Sequence, residues 1–173
     1  MFRKKTNRNK KKVYVGFAAD ILHEGHMNIL KVASQFGDVI VGLLTDEAIT
    51  SYRQLPHLNY KQREIILKNI KFVNKVIPQK TLDYTENLNS IKPDYVLHGD
   101  DWRSGIQKIV RKKVIKVLKK WSGKLIEVSY TKNISYSIMK SKNIKTGTTP
   151  EIRKSKLRRL VEAKNITRIL ETH

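Results

Sequence analysis

Apolar positions recur along this chain with two different periods. Val13 to Phe17 is a short apolar run of alternating β formers, and Val39 to Thr45 is a continuous apolar run of the kind buried on both faces of a parallel sheet. Lys75 to Pro78, Tyr95 to His98 and Leu125 to Tyr130 give three more short strands. Between them the spacing becomes helical. Met27 to Phe36 places Ile29, Leu30, Val32, Ala33 and Phe36 on one side, and Tyr60 to Phe72 does so with Ile65, Ile66, Ile70 and Phe72. Glu86 to Ile91 reads as a short helix. Gly105 to Trp121 reads as a long one, with Ile106, Ile109, Val110, Val114, Val117, Leu118 and Trp121 as its apolar stripe. Gly37-Asp38 closes the first helix, Pro93-Asp94 marks a turn and Gly123 stops the long helix.

Strands alternating with helices predict an α/β architecture: a doubly wound, Rossmann-like parallel sheet of about five strands with helices on both faces. Crossovers in such a sheet are right-handed, and its ligand lies beyond the carboxyl ends of the strands. With 173 residues and 39% hydrophobic positions the chain is about one domain long and can bury a real core. It divides into a basic arm over 1–12, a catalytic-type domain over 13–140 and a helical segment over 141–173.

Charge changes the picture of partners. Lysine and arginine total 36 against 15 acidic residues, a net charge of +21, which is the usual footprint of nucleic-acid binding. The excess is spread along the chain, however, and in the long helix Lys108, Lys112, Lys113, Lys116, Lys119 and Lys120 occupy the positions left by the apolar stripe, as on a solvated helix face. No aromatic RNA-binding signature and no helix-turn-helix pattern stands in the sequence. A nucleic-acid-binding module is therefore the lesser alternative to an enzyme whose anionic substrates are drawn in electrostatically. There is no cysteine for a disulfide framework, and the opening Met1 to Lys12 holds no apolar stretch. The expectation is a soluble, cytoplasmic protein.

The densest chemistry lies in Gly16-Phe17-Ala18-Ala19-Asp20-Ile21-Leu22-His23-Glu24-Gly25-His26, where the first strand turns into the first helix. Such a turn aims unpaired backbone N–H groups and the positive end of the helix dipole at an anion. Gly25 permits close approach of a phosphate, and His23 and His26 can hydrogen-bond oxygens whose charge grows as phosphorus becomes five-coordinate. Zinc ligation and two unrelated structural histidines are the competing readings. Neither His57 nor His98 stands at a suggestive spacing from the pair.

Further blocks follow in order: Thr45-Asp46-Glu47, Tyr60 with Arg63, Gly99-Asp100-Asp101-Trp102, and Tyr130-Thr131-Lys132-Asn133-Ile134-Ser135-Tyr136-Ser137. Together with the H-x-G-H stretch they resemble, over about residues 13 to 140, the cytidylyltransferase family of small nucleotidyltransferases, which includes glycerol-3-phosphate cytidylyltransferase. The family's last block reads R-T-x-G-I-S-T-T. Tyr130 therefore replaces an arginine and Asn133 a glycine, which removes one positive charge expected near a triphosphate.

The resemblance implies the site. His23, His26 and Lys71, which matches a basic position at the end of the helix over Tyr60 to Phe72, would be catalytic. Gly16, Phe17, Asp20, Gly25, Gly99, Asp100, Asp101, Trp102, Tyr130, Thr131, Ile134, Ser135 and Ser137 would bind the nucleotide. Arg53, near a position where the family carries a lysine, would bind the acceptor together with Asp83 and Tyr84. Magnesium is expected, kept mainly by substrate oxygens and water with Asp20 nearby. A homodimer is expected, with no membrane and no specific nucleic acid as partner.

Residues 156 to 173, from Lys156-Leu157-Arg158-Arg159-Leu160 to Leu170-Glu171-Thr172-His173, resemble the opening of phosphoenolpyruvate mutase, which makes the carbon–phosphorus bond. The combination implies a cytidylyltransferase fused to such a domain. It would transfer CMP from CTP to a small phosphonate, 2-aminoethylphosphonate or 2-hydroxyethylphosphonate, in phosphonate biosynthesis. Glycerol-3-phosphate cytidylyltransferase is the alternative, and an ordinary terminal helix is the plainer reading of the tail.

Overall fold

The computed structural model describes residues 10–103, 107–129 and 150–164. Among the described residues five strands form one parallel sheet: β1 (Lys12–Phe17), β2 (Asp38–Leu44), β3 (Lys75–Gln79), β4 (Tyr95–Gly99) and β5 (Lys124–Val128), in spatial order β3-β2-β1-β4-β5. All five were legible from the apolar runs, with ends shifted by a residue or two. In the central strand Val15 pairs with Val41 on one side and Leu97 on the other. From β1 the sheet is built outward in both directions, so the switch point lies between β1 and β4, where doubly wound sheets hold their ligands.

Successive side chains of β1 feed two cores. Val13, Val15 and Phe17 pack with Val39, Val41, Leu43 and Leu97 beneath helices α1 (Glu24–Phe36) and α3 (Tyr60–Lys68), which contribute Leu30, Ala33 and Leu67. Tyr14 points to the opposite face, where α4 (Thr85–Ile91) and α5 (Gln107–Leu118) supply Leu88, Val114, Val117 and Leu118. Leu30 and Leu67 are fully buried, so truncating either to alanine costs about 2–5 kcal/mol. The Tyr14 hydroxyl is buried as well. It donates to Gln79 Oε1 and accepts from Asn87 Nδ2 at 2.9 Å, and burial raises its pKa.

Two helical faces differ from the periodicity. On α3 the expected core residues Ile65 and Ile66 are 54% and 41% exposed, while Arg63 and Leu67 are fully buried. Ile109 of α5 is likewise 62% exposed. A short helix over Asp46–Thr50, α2, was not expected. It is capped by Thr45, whose side chain accepts the Ala48 N–H at 3.2 Å. The long helix ends at Leu118 in a 3-10 turn, Lys119–Trp121. The left-handed residue there is Ser122 (φ 61°), and Gly123 N–H closes on the Leu118 carbonyl at 3.0 Å. The last helix, α6 (Pro150–Lys164), starts at Pro150, within the segment expected to be helical, and lies against α2. Among the described residues no helix is long and apolar enough to cross a membrane.

Candidate active site

A cavity of about 420 Å³ opens at the carboxyl ends of β1, β4 and β5, a volume typical of small-molecule sites. Its floor is the stretch from Val15 to Asp20, its near wall His23, Gly25 and His26, and its far wall His98, Gly99 and Trp102. The histidines stand where they do because α1 begins between them. His23 is the N-cap, in extended conformation (φ −141°, ψ 172°), and its carbonyl accepts the His26 N–H at 3.0 Å. In return the His23 N–H donates to His26 Nδ1 at 3.4 Å. A ring nitrogen that accepts cannot carry the proton, so neutral His26 is protonated on Nε2. The two imidazoles lie with centroids 4.0 Å apart, and the edge of Phe17 meets His26 at 5.0 Å.

Electrostatics keeps both rings neutral in the free protein. Burial, followed by the proximity of His23 and Arg53, lowers the His26 pKa from 6.5 to about 4. Burial also lowers that of His23, with Glu24 opposing. The site therefore offers N–H donors rather than fixed cations until an anion enters. The His23 Nδ1 atom is buried without a hydrogen-bond partner among the described residues. A buried polar atom left unpaired is costly, so its persistence in a cleft marks a group that a ligand can satisfy. Ala19, also buried, sits at φ 51°, in the left-handed region that a non-glycine residue occupies at a cost of about 1–3 kcal/mol.

The far wall is a stack. His98 lies parallel to Trp102 (interplanar angle 4°, centroids 3.9 Å), and its Nδ1 meets the Gly99 carbonyl at 2.9 Å, which requires that nitrogen to be the donor. Trp102 donates Nε1–H to Glu127 Oε1 at 2.9 Å, and Arg103 and Arg111 each clamp the same carboxylate through two hydrogen bonds. Those guanidinium groups hold the Glu127 carboxyl well below the usual carboxylate range. His98, Arg111 and Glu127 were missed in the sequence. The one available signal was that His98 immediately precedes the Gly99 block at a strand end.

The expected residues divide as follows. Gly16, Phe17, Asp20, His23, Gly25, His26, Arg53, Tyr84, Gly99 and Trp102 all line the cavity. Gly16 must lack a side chain, since a Cβ there would lie 2.3 Å from Tyr84 Oη. Lys71 is not brought to the cavity. It lies in the turn before β3, at the amino end of the sheet, exposed and with its ammonium 5.0 Å from the Phe72 ring. Asp83 does not line the cavity either, because Lys113 binds its carboxylate at 2.7 Å and the Thr85 N–H and hydroxyl donate to it. Asp100 begins the 3-10 turn after β4. The side chain of Asp101, and Tyr130, Thr131, Ile134, Ser135 and Ser137, lie outside the described residues.

Asp20 is engaged in holding a loop. Its Oδ1 accepts the His57 and Leu58 N–H groups at 2.6 and 3.3 Å, and its Oδ2 meets His57 Nδ1 at 3.1 Å. Among the described residues no three His, Asp or Glu side chains could hold a metal ion together. Arg63, buried beneath, ties the same loops: its guanidinium donates to the carbonyls of Ala18, Leu44 (2.9 Å) and Leu58 (3.1 Å) and pairs with Asp46 at 2.6 Å.

A parallel α/β sheet with paired histidines at a helix start and an anion-ready cleft defines a nucleotidyltransferase. The chain belongs to the cytidylyltransferase-like family, whose model matches residues 14–159. It is 38% identical over 97 residues to glycerol-3-phosphate cytidylyltransferase of Bacillus spizizenii, covering 54% of this chain and 74% of that one. It is 33% identical over 132 residues to ethanolamine-phosphate cytidylyltransferase of Dictyostelium discoideum, covering 75% of this chain and 36% of that one. The fold is shared with a lipopolysaccharide core biosynthesis protein of Thermoplasma volcanium at a TM-score of 0.59 and 20% identity, over 73% of this chain and all of that one.

Proposed function

We propose that this enzyme transfers CMP from CTP to a small acceptor carrying a phosphonate, with release of pyrophosphate. An oxygen on the acceptor's phosphorus forms the new bond to the α-phosphorus of CTP as the bond from that phosphorus to the pyrophosphate oxygen breaks. The attacking oxygen is already anionic, so no proton has to be removed, and positioning and charge stabilisation dominate. The observation that carries the reading is the His23–His26 pair. Two neutral imidazoles, one with its proton directed to Nε2, meet charge that grows in the transition state, where such donors count most. Arg53 is the acceptor-binding side chain of this reading. The triphosphate would bring magnesium with it, and the ion would supply charge neutralisation on the phosphate oxygens, with Asp20 nearby.

The phosphonate, rather than a phosphate ester, is supported by the resemblance of residues 156 to 173 to the start of phosphoenolpyruvate mutase. Fusion to such a domain and a homodimer belong to the same proposal and rest on resemblance alone. Glycerol 3-phosphate is the second reading, favoured by the 38% identity to the Bacillus enzyme. Pyrophosphate release from CTP decides between them with 2-aminoethylphosphonate, 2-hydroxyethylphosphonate, glycerol 3-phosphate and phosphocholine offered in turn, and ATP as a parallel donor. Turnover with a phosphonate supports the proposal. Turnover with glycerol 3-phosphate alone replaces it, and silence throughout defeats both.

A further inference from the structure

The loop from Ser51 to Asn59 carries Arg53 into the cavity, and its Pro56–Leu58 stretch is gripped from two sides. On one side Asp20 takes the backbone N–H groups of His57 and Leu58 and the His57 ring. On the other side the contact comes from about 100 residues further along the chain. Arg159 of α6 donates through Nη1 to the His57 carbonyl at 2.9 Å and through Nη2 to the Pro56 carbonyl at 3.0 Å. The same Nη2 lies 3.8 Å from Asp46 Oδ2, at the start of α2, whose other carboxylate oxygen binds Arg63. The Arg159 side chain is 19% exposed; its bond to the Pro56 carbonyl is partly buried and its bond to the His57 carbonyl faces solvent.

We infer that Arg159 is a positioning residue for the reaction: it clamps the Pro56–His57 carbonyls from outside while Asp20 clamps the adjoining N–H groups from within, fixing the Arg53 loop against the strand-to-helix turn that carries His23. The peptide plane of His57 is thus gripped on its carbonyl edge by α6, and the same residue's N–H is gripped by the motif loop. Asp20 is three residues before His23, so the clamp ties α6 to the acceptor side and the histidine side of the cleft at once. A planar fork suits two adjacent carbonyls, which an ammonium cannot span in the same geometry. Helix α6 is on this inference part of the catalytic machinery rather than a passive extension.

The inference rests on the proposed cytidylyl transfer for its kinetic readout but not for its structural one. Hydrogen exchange on the 173-residue chain reports the amides of His57 and Leu58 directly. In Arg159→Ala these two should exchange about tenfold faster or more, while amides of β1 and β4 keep their rates. With CTP and the acceptor that turns over, Arg159→Ala should raise the acceptor KM about tenfold and leave the CTP KM within about twofold, since small displacements of a positioning group are felt strongly at the reacting atoms. Arg159→Lys should recover only part of the loss. Unchanged exchange at His57 and Leu58 overturns the inference. So does a uniform loss in both KM values accompanied by faster exchange across the sheet, which marks a general weakening of the fold. If the wild-type chain turns over none of the acceptors, the functional proposal fails, and the exchange result alone decides for or against the clamp.

Discussion

The His23 backbone N–H donates to Nδ1 of His26 at 3.4 Å, so the first histidine of the pair fixes the proton of the second on Nε2. A strand-to-helix turn thereby sets both the place and the tautomer of a transition-state donor. Replacing either ring should cost turnover without costing the fold. His23→Ala and His26→Ala should each lower kcat about 100-fold to 1,000-fold. Steady-state kinetics beside far-UV circular dichroism checks this, and near-normal turnover in either variant removes the assigned role.

Acid should weaken the protein through the same pair. His26 titrates near 4 in the folded state against 6.5 ordinarily, and His23 is also lowered. In the window between, the unfolded chain binds protons that the folded chain does not, so stability is complete above pH 6.5 and is lost as pH falls toward 4. The paired Glu127 carboxyl, whose pKa is lowered from 4.5, adds its own loss as pH falls through 4.5 and below. Melting temperatures across pH 7 to 4.5 should therefore decline in the wild type and decline less in His26→Ala. Parallel curves for the two proteins would show that His26 is not the group responsible.

Arg63 is fully buried and serves three carbonyls and one carboxylate. Removing it takes the hydrogen-bonded guanidinium away from Asp46 and the three loop carbonyls, so Arg63→Met should cost about 3–5 kcal/mol in urea unfolding. Arg63→Lys should rescue little, because one ammonium cannot reach separated acceptors. A cost below about 1 kcal/mol for Arg63→Met would mean that the loops are held mainly by other contacts.

Gly16 and Tyr84 occupy one space. A methyl at Gly16 would fall 2.3 Å from Tyr84 Oη and 2.4 Å from Cζ, in a place where the ring is nearly buried. Gly16→Ala should therefore destabilise by about 1–3 kcal/mol. The same change made in a Tyr84→Ala background should cost clearly less, and a double-mutant cycle measures the difference. Strict additivity would contradict the steric account.

Much of the fold was legible because each strand is a separate apolar run and each lies at a register the sheet demands. The motif blocks were legible for a related reason: a doubly wound sheet collects strand ends, so Gly16, His23 and Gly99, far apart in sequence, line one cavity. What was not legible involves charge placed against backbone. Periodicity reads Ile65 and Ile66 as core, yet the buried position is taken by Arg63, because loop carbonyls at Ala18, Leu44 and Leu58 need a donor more than the surface needs to shed two isoleucines. Asp20 reads as a residue near a metal and Asp83 as a partner for an amine, and no local pattern shows that their oxygens also accept from His57 and Leu58 and from Thr85 and Lys113. Lys71 matched a basic position in the chain while standing at the wrong end of the sheet. The Glu127 clamp on Trp102 and the Arg159 contact with His57 join residues 25 and 102 apart in sequence, beyond the reach of any local pattern.

The most direct measurement follows the α-phosphorus itself. With CTP labelled at that atom, magnesium and 2-aminoethylphosphonate or 2-hydroxyethylphosphonate, the label should move into a CMP–phosphonate conjugate with one pyrophosphate released per transfer. Label that stays in CTP with every acceptor, or that moves only when the nucleotide is ATP, contradicts cytidylyl transfer.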